Sequence, residues 1–340
     1  MPETKASPVE NTLTIAVDCM GADFDPVLAV EASTIALAQD PALRIQIFGQ
    51  QHRLEPALKH CLPEQLDRLE ATDCPDVVPM DSSPARALRM AQRSSMARAM
   101  ESEQAAAMVS AGNTGALMAL ARARLGMLPG IERPALMTAF PVRQGQTWVL
   151  DLGANIGVDA DRLYEFAVLG SAAVSVLIES RPRVALLNIG TEDNKGPDVI
   201  REAARRLSHS DLDFVGFIEG HSVFEGKADV VVCDGFAGNI LLKSAEGAIR
   251  MLFDSLKDWQ DSWWRRPLLQ RRMKVLAQRY DPRMHNGASL LGINGIVVKS
   301  HAHADAVGLA QAIGLAALEV RRGMLPELER QLWLGSGVGE

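Results

Sequence analysis

The chain has 340 residues, 47% hydrophobic and 23% charged, with a formal net charge of −7. That composition excludes a disordered polymer and argues against a general nucleic-acid binder, which needs a surplus of cations to neutralise phosphates. Cys19, Cys61, Cys74 and Cys233 fall in no C-x-x-C pair, residues 1–11 carry no apolar secretory core, and no apolar run reaches the ~18–20 residues that span a bilayer. The sequence therefore reads as cytoplasmic, with reduced thiols and, at most, peripheral membrane contact.

The first periodic element is Thr12–Val17, a β-branched strand that stops at Asp18; Gly21, Asp23 and Pro26 then open a helix. The same phrase recurs. Arg44–Phe48 precedes Gly49 and a polar helix. Ala105–Val109 runs into Ser110, Gly112, Asn113, Thr114 and Gly115, then a helix to about Leu125. Thr147–Leu150 ends at Asp151-Leu152-Gly153-Ala154-Asn155, before a helix near Arg162–Ile178. Val184–Ile189 ends at Gly190, Thr191, Glu192, Asp193, Asn194, Lys195 and Gly196, with a helix from Pro197. Asp229–Cys233 ends at Asp234-Gly235-Phe236-Ala237-Gly238-Asn239 before a long helix, and Ile296–Lys299 precedes a helix near Asp305–Arg321.

Buried strands alternating with helices of this length predict an α/β fold: a mostly parallel sheet with helices on both faces. One catalytic domain is expected over 12–322, after a disordered segment 1–11 and before a C-terminal tail at 323–340. Residues 251–280 read as a helical arm, because this long stretch has no strand and holds Trp259, Trp263 and Trp264.

In parallel sheets ligands bind beyond the carboxyl ends of strands, and here five strands end in glycine-bearing polar loops that lead into helices. Glycine permits close backbone approach to an anion, and helix N-termini offer N–H donors. The expectation is a shared phosphate-handling crevice lined by Asp18, Gly21, Asp23, Ser110, Gly112, Asn113, Thr114, Gly115, Asp151, Asn155, Gly190, Thr191, Gly196 and Gly238, with Lys243 nearby. Lys195, Asn239 and Asp234 are the catalytic candidates. The aspartates could equally be helix N-caps. There is neither a G-x-x-x-x-G-K-[ST] nor a G-x-G-x-x-G after the first strand, so the common nucleotide fingerprints are missing.

These loops resemble one family over about residues 12–322. Asp18-Cys19-Met20-Gly21-Ala22-Asp23-Phe24-Asp25-Pro26 resembles the opening of the PlsX family, the acyl-acyl-carrier-protein:phosphate acyltransferases of bacterial phospholipid synthesis. So do Ser110 to Met118, Arg133-Pro134-Ala135, Asp151 to Asn155, Asn188 to Gly196, Asp234 to Asn239, Gly287 to Gly292, and Lys299 with His301. Ala22, Gly157, Asn286 and the His301-Ala302-His303 run depart from the family pattern.

The resemblance implies transfer of a fatty acyl group from the acyl carrier protein thioester to inorganic phosphate, giving acyl phosphate for phospholipid synthesis; the alternatives are a phosphotransacetylase-like acyltransferase using acyl-CoA and a non-catalytic carrier-protein or membrane scaffold. It implies a fold related to phosphotransacetylases and isopropylmalate-type dehydrogenases. No metal and no cofactor is expected. Lys195, with backbone N–H groups of Gly112–Gly115 and Gly238–Asn239, is expected to hold phosphate and the developing charge, and Asn113, Thr114, Asn155 and Asn239 to add neutral hydrogen bonds. A covalent route through Ser110 or Cys233 is the competing mechanism.

Partners follow the same expectation. Arg86, Arg89 and Arg93 fall at helical spacing and form either a dock for acidic acyl carrier protein or a solvated face. In the arm, Leu252, Leu256, Trp259 and Trp263 share one helical face, and Arg265, Arg266, Arg271, Arg272 and Lys274 follow. This pattern suits a helix at the membrane interface, within 251–276, serving a membrane acyltransferase that accepts acyl phosphate. A homodimer interface, or packing on the core, is the alternative.

Overall fold

The computed structural model describes residues 12–258 and 280–335. The strands are β1 (Leu13–Asp18), β2 (Leu43–Gly49), β3 (Leu69–Asp73), β4 (Ala107–Ser110), β5 (Ala135–Pro141), β6 (Gln146–Leu150), β7 (Arg183–Leu187), β8 (Asp213–Ile218), β9 (Val230–Val232), β10 (Ala288–Leu291) and β11 (Ile296–Lys299). They form one sheet in the order β3-β2-β1-β4-β11-β10-β5-β6-β9-β7-β8.

Alternation along the strands decides which side chains meet which layer. Ile15 and Val17 of β1, Val230 and Val232 of β9 and Val298 of β11 enter one apolar cluster, while Ala16, Val231 and Val297 enter the other. The first cluster is roofed by α1 (Pro26–Gln39), α7 (Ala160–Ile178), α8 (Asp198–Leu207) and α10 (Ala306–Arg321). The second is roofed by α4 (Pro84–Met90), α5 (Ser95–Met100), α6 (Thr114–Arg124) and α9 (Gly235–Asp258). The mostly parallel, two-faced sheet is thus as expected, and its short helices α2 (Gln51–Leu58) and α3 (Pro63–Leu66) flank β3.

The sheet is not parallel throughout. β5 pairs antiparallel with both β10 and β6, and β10 pairs antiparallel with β11. Following the directions across the sheet, β1, β2, β3, β4 and β11 run one way and β6, β7, β8 and β9 the other. The carboxyl ends of the two groups therefore lie at opposite edges. This corrects the expectation that all five glycine loops share one edge.

A second correction concerns residues 323–340. A helix, α11 (Met324–Gly335), fills most of that stretch, and its Met324 and Leu328 are buried in the first cluster. The arm's tryptophans, Trp259, Trp263 and Trp264, lie outside the described residues, as do 1–11.

Beneath α10 sits a buried carboxyl, Glu319, which accepts a hydrogen bond from Ser289 of β10. Burial pushes it up to about 8 from its ordinary 4.5. An acid whose pKa rises on folding stabilises the fold below the unfolded value and loses that contribution as pH climbs toward the folded value. Stability should therefore decline between about pH 4.5 and about 8 on account of this group. Glu319→Gln should remove that decline and raise the urea midpoint at pH 8; an unchanged midpoint across the pH series would contradict it.

Candidate active site

Register places three polar side chains in one row across neighbouring parallel strands. Asp18 of β1 is level with Ser110 of β4, and Ser110 is level with Lys299 of β11. Each is the last residue of its strand, and alternation points all three to the face that carries α9. The Ser110 hydroxyl donates to Asp18 Oδ2 at 2.7 Å and accepts from the Gly112 N–H at 3.1 Å. Asp18 is pushed up to about 6 by burial, against hydrogen bonds from Ser95, Ser110 and the Met20 N–H and the positive charge of Lys299. Lys299 donates to the carbonyls of Ala111 and Ser300, and burial brings it down to about 8.

Around this row the loops tie together. The Asp23 N–H donates to the Ala302 carbonyl, and the Asp23 carboxylate lies 3.5 Å from His303 Nδ1. Lys243, in the third turn of α9, bonds Glu246 at 2.8 Å and brings its ammonium within 3.4 Å of His301 Nε2. The long helix thus returns from the second edge to the first. Burial, then the charge of Lys243, depress His301 below its ordinary value.

The second edge holds the loops after β6, β7 and β9. Asp151 is fully buried and accepts from the N–H groups of Leu136, Ala154 and Asn155 and from the Asn155 amide. Asn155 is buried too, and its amide also donates to the Pro134 carbonyl. Asp234 accepts from the N–H groups of Gly157 and Val158 with one oxygen and of Phe236 with the other. These carboxylates tie loops together, which is the capping alternative, and leave Asn239 exposed on the second turn of α9. Asn113 is the N-cap of α6, accepting from Ala116 and donating to the Met80 carbonyl.

The glycines of this edge have a different purpose from the one expected. A Cβ on Gly238 would stand 1.9 Å from the Asp151 carbonyl oxygen, and one on Gly235 would stand 2.3 Å from that of Asn155. The close approach they permit is of helix to loop, within the protein. Lys195 is exposed in the loop after β7; its carbonyl accepts from Asn188, and Gly196 closes the same turn with φ of +81°. Gly190 is buried and Thr191 exposed in that loop, while Gly115 and Thr114 open α6 at the first edge. Gly21, at φ +74°, bends the loop that carries Asp23.

The structure thus unites Asp18, Asp23, Ser110, Gly112 and Lys243 with two residues absent from the sequence-based set, Lys299 and His301. It places Lys195 and Asn239 with Asp151, Asn155, Asp234, Gly190, Thr191, Gly196 and Gly238 around the second edge. Nothing local could have paired Lys299 with Asp18, because β11 reaches β4 only in the assembled sheet.

Comparison with known proteins bears on what this site does. The family model described as "Fatty acid synthesis protein" matches residues 13–326. A phosphate acyltransferase of Stutzerimonas stutzeri is 46% identical over 330 residues, covering 94% of this chain and 92% of its own length. One of Photobacterium profundum is 43% identical over 329 residues, covering 94% and 96%. Two solved structures share the fold: a phosphotransacetylase from Streptococcus pyogenes (TM-score 0.61, 17% identity, 92% and 94% covered) and EutD phosphotransacetylase from Staphylococcus aureus (TM-score 0.58, 15% identity, 92% and 95% covered).

The seat of α9 can be tested directly. Gly238→Ala should cost about 2 kcal/mol or more through overpacking against Asp151. Gly247→Ala, in the same helix with open space around it, should gain ~0.5–1 kcal/mol. Thermal melts followed by circular dichroism separate the two, and equal effects would refute the packing argument. With the fold, the motifs and the long-range identity in agreement, the chain belongs to the fatty acid synthesis protein family and is an acyltransferase of the phosphate acyltransferase type.

Proposed function

We propose that the chain takes a fatty acyl group from the thioester of acyl carrier protein and passes it to inorganic phosphate by direct displacement. A phosphate oxygen attacks the carbonyl carbon, the carbon–sulfur bond breaks, and the carrier thiolate leaves and is protonated. The products are acyl phosphate and carrier thiol, with no change of oxidation state.

The observation that carries this mechanism is the burial of both candidate nucleophiles. Ser110 has no exposed surface and its hydroxyl is held by Asp18. Cys233 lies beneath the first turns of α9, donates to the Asp151 carbonyl, and burial pushes its thiol far up. Neither can meet a thioester without dismantling the core, so phosphate itself is the nucleophile.

In this reading Asn239 and Lys195 serve the thioester. Asn239 stands one helical turn before Lys243 on the same face of α9, where its amide can donate to the developing oxyanion. Lys195 adds positive charge from the neighbouring loop, while Asp234 acts by holding the Gly157–Val158 backbone against α9. Lys195→Ala should lower kcat on the order of 100-fold with the fold intact. Turnover near wild type would remove Lys195 from the mechanism.

The donor is tested by trapping acyl phosphate with hydroxylamine, offering acyl carrier protein and acyl-CoA in parallel; equal turnover with both would overturn the carrier-protein assignment. The docking proposal rests on Arg86 and Arg89, both exposed on α4. Arg93 is exposed as well, but a tighter 3-10 turn at Ala91–Arg93 ends the helical stripe before it. Arg86→Glu with Arg89→Glu should raise KM for acyl carrier protein without changing KM for phosphate.

The proposal extends to a cytoplasmic homodimer that touches the membrane peripherally through 251–276 and delivers acyl phosphate to a membrane acyltransferase. Met251 and Leu252, the first residues of the arm and part of α9, are exposed and support an apolar partner there. Among the described residues no helix is long and apolar enough to cross a membrane.

A further inference from the structure

His301 holds an unresolved hydrogen-bond conflict. Its Nδ1 accepts from the His303 backbone N–H at 3.2 Å, and its Nε2 faces the Lys243 ammonium at 3.4 Å. A neutral imidazole has one donor and one acceptor nitrogen. With Nδ1 accepting, the proton resides on Nε2 and confronts an ammonium that can only donate. Two donors aimed at each other from separate elements lack an acceptor between them.

The surroundings repeat that need. Lys299 gives two of its three protons to the Ala111 and Ser300 carbonyls, leaving one for another acceptor. The opening of α6, an eleven-residue helix, lies on the same loop as Ala111 and adds partial positive charge. The charged groups bearing on His301 are Lys243 and Glu246 from α9, Lys299 from β11 and His303 from its own loop, with Asp23 beside His303. Three of these five are basic, and Glu246 is already paired with Lys243.

We propose that an inorganic phosphate dianion binds between His301, Lys243 and Lys299, as the nucleophile's ground-state site. A tetrahedral oxyanion offers several acceptor oxygens at once, so one can take the Nε2 proton while others take protons from the two ammonium groups. Asp18 then acts as a positioning residue: buried in the same row, on the far side of Ser110 from Lys299, it favours the charged ammonium. The acyl-transfer reading identifies the anion as phosphate; the hydrogen-bond conflict alone locates it.

The experiment follows the His301 imidazole by NMR in the full chain, assigned with His301→Gln, while inorganic phosphate is added without any thioester. An adjacent dianion favours the charged imidazole, so the His301 midpoint should rise by ~1 unit or more. Removing either donor, in His301→Gln or Lys243→Met, should raise KM for phosphate ~10-fold, with KM for the acyl donor unmoved. A midpoint that ignores phosphate, or that moves equally with sulfate, overturns the assignment. If the midpoint moves but hydroxylamine traps no acyl phosphate, the anion site stands and the acyl-transfer reading fails. If acyl phosphate is trapped and the midpoint stays, this inference alone is lost.

Discussion

Helix α9 sits where it does because positions 235 and 238 have no side chain. The first turns rest directly on the carbonyls of Asp151 and Asn155, closer than any Cβ allows, and the Asp234 carboxylate clamps the opposing backbone. That seat sets the helix's angle across the sheet. Two turns later the angle delivers Lys243 to His301, in the loop after β11, a strand whose carboxyl end faces the other way. Loops that strand direction separates are connected by one rigid rod. A fault at its base would be felt at its far end.

The electrostatics of the first edge depend on the same arrangement. A buried carboxylate alone would be protonated, and a half-buried ammonium beside another lysine would tend to lose its proton. Asp18 and Lys299 moderate each other: the lysine lowers the acid, and the acid raises the lysine. Serine hydroxyls and a backbone N–H complete the carboxylate's shell. The row is therefore a charged but internally compensated floor, and the exposed cations above it determine what ligand suits the site.

Much of this was legible in the residues. Uninterrupted apolar runs such as Asp229–Cys233 and Ile296–Lys299 marked the parallel strands, and their polar ends marked the loops. Four strands, β3, β5, β8 and β10, escaped notice, and only some of them have a weak local pattern. β3 has one buried residue, Leu69, and β10 is only four residues long. The reversal at β5 and β10 is a property of pairing, which no local periodicity records. The site shows the same division. Asp18, Ser110 and Lys243 stood out by their place after strands or on a helix, whereas Lys299 and His301 stood out only as a run shared with the family, and their partners became visible only in space. Gly235 and Gly238 were noticed for the right property, intolerance of a side chain. A sequence does not say whether the atom that would collide belongs to a ligand or to the next loop.

The position of β11 between β4 and β10 has a consequence for the order of assembly. Lys299 and the Ala111 carbonyl it binds are 188 residues apart. As the chain emerges from the ribosome, β4 can pair with β1 at once, but its other flank stays open until most of the protein has been made. An unpaired, apolar strand edge exposed for that interval invites pairing with the wrong chain. Newborn molecules thus pass through a vulnerable stage that ends only when a late strand slots into the middle of an early sheet.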